Sequence, residues 1–381
     1  MKHVLNNVPR YYEPYVNDCF ATAYGACLAH QGHNTQLVLA DYLSFMFDEE
    51  TGYIGTTYMY RYSTSVEFTE SELNSSLAFI YFPKTTEFQG DTEKTISVKY
   101  QDRIQISMFI HDDPEVAAAR VKALIDAGKP VAIVVDLHYM SYHKAFMNDH
   151  GLHAMVVVGY DEENGTYDVF DKYALSSSDY DGTLPMSAIR EGRLSDTPRQ
   201  NHLIGEYRRP IRNLWMEFDT GTDFQITQAK LLAVIEESYA RMSGTHPLYP
   251  GESGLQRIEA FMESLRLRKE EPLDEAKVNL FKEYYNTSLK RVARGRRRFR
   301  VFIEEIADML PRNIVDALSE QLQLSEKRWD ICANTALKLA ISKAPRLFDD
   351  LERNLQIILE IEGGIVELLR ECHQSFTVKE S

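Results

Sequence analysis

The texture of the chain changes near residue 220. Before it, short β-rich runs alternate with helical segments; after it, nearly everything repeats with the period of an α-helix. The expectation is an α+β domain over residues 1–220 followed by a mostly α-helical domain over residues 221–381. The 381 residues are enough for two cores, and 22 Tyr and 18 Phe supply the bulk to fill them.

Within the first part, residues 19–31 read as a helix capped by Asn17-Asp18 and stopped at Gly32, and residues 35–48 as a second. Residues 51–110 are rich in Tyr, Thr, Ser and Phe and read as strands with loops. Residues 114–127 form an amphipathic helix with Pro near its start and Gly128 after its end. Residues 131–137 and 153–160 are apolar enough to be buried central strands. Residues 167–170 form a third strand after the turn Asp161-Glu-Glu-Asn-Gly165. In the second part five helices are expected, over 225–242, 253–268, 273–310 (broken near Gly295), 312–342 and 346–373.

The chain carries a net charge of -15, so no global field draws it to nucleic acid or an anionic membrane, and neither is expected as a partner. No run approaches the length of a membrane span, and the N-terminal residues Met1 to Asn7 lack the apolar run of a signal peptide. Four cysteines without C-x-x-C spacing fit neither a disulfide framework nor a metal site, and a reducing cytoplasm is the expected compartment.

Cys19 stands where the first helix should begin. Unpaired N–H groups and the positive end of the helix dipole favour a thiolate there and can also bind an oxyanion. Cys27, Cys332 and Cys372 sit inside helical stretches and fit small buried hydrophobes. The candidate base is His153, because an imidazole at the head of the apolar run Ala154-Met155-Val156-Val157-Val158 costs free energy unless it is hydrogen-bonded or used. His150 is the alternative. Asp171, ending the next strand, is the candidate to orient the imidazole. A two-residue turn at Asn164-Gly165 would set His153 opposite residue 176, whereas pairing it with Asp171 needs an odd-length loop centred on Glu162.

The order of Cys at a helix start, His at a strand start and Asp after the next strand resembles papain-like cysteine enzymes, including the C39 peptidases. Six residues before the Cys, where those carry Gln, stands Glu13, which leaves Asn17 or a backbone N–H pair for the oxyanion hole. The chain is more similar to the butirosin biosynthesis protein H family. The likeness rests on Asn17-Asp18-Cys19-Phe20-Ala21-Thr22-Ala23, on the Asp136-x-x-Tyr139-x-x-Tyr142 segment after the apolar run from Pro130, on Gly151-Leu152-His153-Ala154-Met155, and on Val169-Phe170-Asp171. Further matches fall around Ser253-Gly254-Leu255-Gln256, Gly295-Arg296-Arg297-Arg298-Phe299 and Lys327-Arg328-Trp329; Ser141 stands where the family often has Pro.

The resemblance implies a papain-like domain that moves an acyl group from a carrier-protein or coenzyme A thioester, through an acyl-Cys intermediate, to a small amine in secondary-metabolite biosynthesis. It implies no cofactor beyond the phosphopantetheine of the donor. Asp136, Tyr139 and Tyr142 are expected to line the substrate pocket, with Asp136 attracting a cationic acceptor. A peptidase or amidase using the same residues, and a non-catalytic binding protein of the same fold, are the alternatives. The basic run from Arg291 to Arg300 fits either a docking site for an acidic carrier or a helix face paired with nearby acids.

Overall fold

The computed structural model describes residues 1–10, 19–39, 42–50, 52–55, 78–81, 104–173, 178–196, 198–201, 205–208, 210–247 and 250–377. The protein is mixed α/β, with a largely antiparallel sheet and a helical C-terminal region. It divides into two compact units, residues 1–39, 65–201 and 205–225 in the first and residues 40–64, 202–204 and 226–381 in the second.

The first unit is built on an eight-stranded sheet. Its strands are β1 (Lys2–Val4), β4 (Ala78–Tyr81), β5 (Ile104–Phe109), β6 (Val131–Asp136), β7 (Leu152–Asp161), β8 (Thr166–Tyr173), β9 (Ser178–Pro185) and β12 (Trp215–Thr220). They lie in the order β4-β5-β12-β6-β7-β8-β9, and β1 pairs with the far end of β7. Among the described residues, only the β4–β5 pairing is parallel. β6 is buried at every position and β7 at all but its first, as expected of strands covered on both faces. One core gathers Ile133, Val135, Met155, Val157, Tyr160 and Val169 against Ala117, Val121 and Ile125 of the helix α3 (Pro114–Asp126).

The helix α1 (Cys19–His30) begins at the candidate nucleophile and ends before Gly32, whose φ of 87° lies in the left-handed region. Its candidate cap, Asn17-Asp18, lies outside the described residues. The expected helix over 35–48 is much shorter, α2 (Thr35–Val38). Beyond it Phe45, Met46 and Phe47 are all buried, which no single helical face allows, and the strands β2 (Met46–Phe47) and β3 (Ile54–Gly55) pair. Phe45 stacks on Trp329 with ring centroids 5.0 Å apart, so packing overrides local propensity. Most of the strands expected over 51–110 lie outside the described residues.

The second unit carries α5 (Gln228–Ser243), α6 (Leu255–Lys269), α7 (Glu275–Asn279), α8 (Asn286–Glu305), α9 (Arg312–Ser342) and α10 (Arg346–Thr377). The expected interruption at Gly295 is absent, since Gly295 lies inside α8; the irregularity is a π-helical stretch at Leu280–Tyr285. At the centre, Arg296 and Glu362 form a fully buried pair, Nε to Oε1 2.8 Å. Ser325 Oγ and Trp329 Nε1 donate to the same carboxylate oxygen, and Arg296 Nη1 donates to the Ser44 carbonyl. Among the described residues, no helix is long and apolar enough to cross a membrane.

Candidate active site

Cys19, His153 and Asp171 come from three elements, and the structure brings them together. Cys19 is the first residue of α1 and is 9 % exposed, while His153 and Asp171 are 2 % exposed. His153 Nε2 lies 2.9 Å from Asp171 Oδ2. The His153 ring also hydrogen-bonds the Cys19 sulfur, and with Nε2 taken by Asp171 the remaining nitrogen, Nδ1, is the one available to it. Burial acts against the imidazolium, but the hydrogen bonds to Asp171 and to Cys19 outweigh it, and the His153 pKa is pushed up from 6.5 to about 10. Such a histidine holds its proton at neutral pH beside the sulfur.

Two departures from a regular hairpin create this geometry. The four-residue loop after Asp161 closes on the pair Asp161↔Thr166, with Asp161 Oδ1 accepting from the backbone N–H groups of Glu163 and Asn164. Continued unbroken, that register would set Asp171 opposite Val156, on the other face of the sheet from His153. Instead β7 carries an extra residue, Val158, between the pairs Val157↔Val169 and Gly159↔Asp168. The bulge shifts the register by one, so Asp171 falls level with Met155 and shares the face of His153. Neither turn geometry considered from the sequence contains this bulge. Gly159, an isolated glycine in an apolar strand, is the signal that points to it.

The second departure lies at the other end of the hairpin. The β7–β8 ladder stops at Val156↔Phe170, while β6 stays paired through Leu152. The Ala154 N–H turns to the Cys19 sulfur, 3.4 Å away. The start of α1 therefore meets the sheet where β7 lacks its β8 partner.

The remaining candidates have other partners. Asp136 is fully buried and accepts four hydrogen bonds, from His138 N and Gly151 N at Oδ1 and from Ser195 Oγ and His150 Nδ1 at Oδ2. Burial raises its pKa, but these donors together hold it below the ordinary carboxylate range. Asp136 is thus a hub tying the segments around β6 together, and its carboxylate does not line an acceptor pocket. His150, the alternative base, is committed to this hub and its ring stacks on His138. Tyr139 packs on the apolar core edge beside His138. Tyr142 reaches the site: its OH donates to Asp171 Oδ2 at 2.6 Å. Asn17 and Glu13 lie outside the described residues.

The other three cysteines are buried, and burial pushes Cys332 and Cys372 up to about 12 and Cys27 higher still. They are inert thiols. In the basic run, Arg296 is consumed by Glu362, Arg297 lies 3.4 Å from Glu326 and Arg300 2.7 Å from Glu304, so these three are tied to acids of the same unit.

A buried thiol at a helix start, coupled to an imidazole that a carboxylate orients, defines a thiol–imidazole–carboxylate site on an α/β sheet unit. The family model described as butirosin biosynthesis protein H, N-terminal, matches residues 18–172, a segment that contains Cys19, His153 and Asp171. A search of curated proteins returned no match.

Proposed function

We propose that the protein is a biosynthetic cysteine acyltransferase with a papain-like arrangement of Cys19, His153 and Asp171. The observation that carries this is the hydrogen-bonded chain from the Cys19 sulfur through His153 to Asp171, within a segment similar to a biosynthesis-protein family. Cys19 thiolate attacks the carbonyl carbon of a thioester, from a carrier protein or coenzyme A. The bond from carbon to the donor sulfur breaks, and the donor thiol leaves with the proton of His153. The amine acceptor then gives a proton to His153 and attacks the acyl-enzyme, forming an amide and releasing the Cys19 thiolate. Backbone N–H groups in the first turn of α1 are suited to the oxyanion at both steps. One thioester is exchanged for another in the first step, so little free energy is lost before the amine arrives.

Hydrolysis uses the same first step, with water in place of the amine. The two are separated by supplying an acyl-pantetheine thioester with and without a panel of small amines. Amine-dependent amide product is the expected outcome. Free acid released at one rate whatever amine is present contradicts transfer and supports a peptidase- or amidase-type enzyme.

A further inference from the structure

Asp171 Oδ2 receives two donors at once, His153 Nε2 at 2.9 Å and the Tyr142 OH at 2.6 Å. Among the described residues no other side chain is seen to hold this carboxylate. A small cavity bounded by Asp171, Thr22 and Lys172 among others lies beside it. Tyr142 is itself fixed, because its ring stacks on Tyr180 with centroids 4.3 Å apart and planes 13° from parallel, and Tyr180 donates to the Thr183 carbonyl. The anchor therefore runs from β9 through two tyrosines to the carboxylate.

We infer that Tyr142 is a positioning residue that locks the Asp171 carboxylate in line with His153, and so sets the pairing of His153 with Cys19. This rests on the Cys19–His153–Asp171 relay proposed above, but it requires no particular donor or acceptor. Burial and the Asp171 carboxylate both raise the Tyr142 pKa, so its OH stays a donor across the working range. The titratable groups facing it are Asp171, Tyr180, Cys19 and His143.

The test is a double-mutant cycle between Tyr142→Phe and Asp171→Asn, read by alkylation of Cys19 with iodoacetate. Removing only the hydroxyl keeps the stack on Tyr180, and thermal unfolding of each variant confirms the fold. Iodoacetate is an anion drawn by the imidazolium, so the alkaline fall of its rate reports the loss of the His153 proton. Tyr142→Phe is expected to slow alkylation at pH 7 about fivefold, the effect of one hydrogen bond, and to move the alkaline limb to lower pH. In the Asp171→Asn background the same change is expected to do nothing further. Equal losses in both backgrounds, no loss in either, or an alkaline limb that stays put or moves up would each overturn the assignment. Absence of acyl transfer would count against the proposed reaction and leave this result standing, because no acyl donor enters the measurement.

Discussion

At the scale of single residues, the site depends on one titration. His153 carries a raised pKa, about 10 against an ordinary 6.5, because Asp171 and the Cys19 sulfur hold its proton against the cost of burial. A group raised in the folded state stabilises the fold fully below its unfolded pKa, and the contribution is lost as pH rises through the folded value. The stabilisation from His153 is therefore expected below about pH 6.5 and lost as pH climbs toward 10. Asp171→Asn removes the carboxylate and should flatten that alkaline loss, measured by urea unfolding at several pH values. An unchanged pH dependence in the variant would contradict the coupling. Cys19 and His153 were legible in the sequence because each was chemically out of place, a thiol at a helix start and an imidazole heading an apolar strand. Asp136 was misleading for a related reason. A carboxylate at a strand exit looks available, and only the folded chain shows its four donors.

At the scale of elements, β1 and the bulge in β7 do what sequence periodicity does not encode. The Leu5 N–H donates to the carbonyl of the bulged Val158, and Val4 pairs with Gly159. A Cβ at position 159 would come within 2.8 Å of the His3 carbonyl oxygen and 2.9 Å of Val4 Cα, so β1 needs a glycine there. Gly159→Ala is expected to push β1 off β7 at a cost of about 1–3 kcal/mol, like other overpacked substitutions. Hydrogen exchange should then show the Leu5 amide losing its protection; full protection in the variant would contradict this role for the glycine. The strands at 131–137 and 153–160 were readable from continuous apolar runs. The register was not, because a bulge is one extra residue and both faces of β7 are buried, so no polar alternation marks the slip. The helix expected over 35–48 failed for the opposite reason, since buried contacts of Phe45 and Phe47 outweigh local preference.

At the scale of the whole molecule, the chain divides into a sheet-based unit and a helical one, and residues 40–64 join the helical unit. The helical unit is organised around an ion pair that the basic run concealed. Arg296 and Glu362 have no exposure, so cutting one partner leaves a buried charge. Arg296→Met is expected to cost about 3–5 kcal/mol in denaturant unfolding, and an Arg296→Met, Glu362→Gln double variant should recover part of the loss. A single variant as stable as the parent would remove this pair from the account. The central claim, however, concerns the other unit, and one measurement tests it directly. The protein is incubated with an acyl-pantetheine thioester and no amine, then digested and mapped by mass spectrometry. The account predicts one acyl adduct, on Cys19, that disappears in Cys19→Ala while Cys27, Cys332 and Cys372 stay unmodified. An adduct on one of those buried thiols, or an adduct that survives Cys19→Ala, would contradict it.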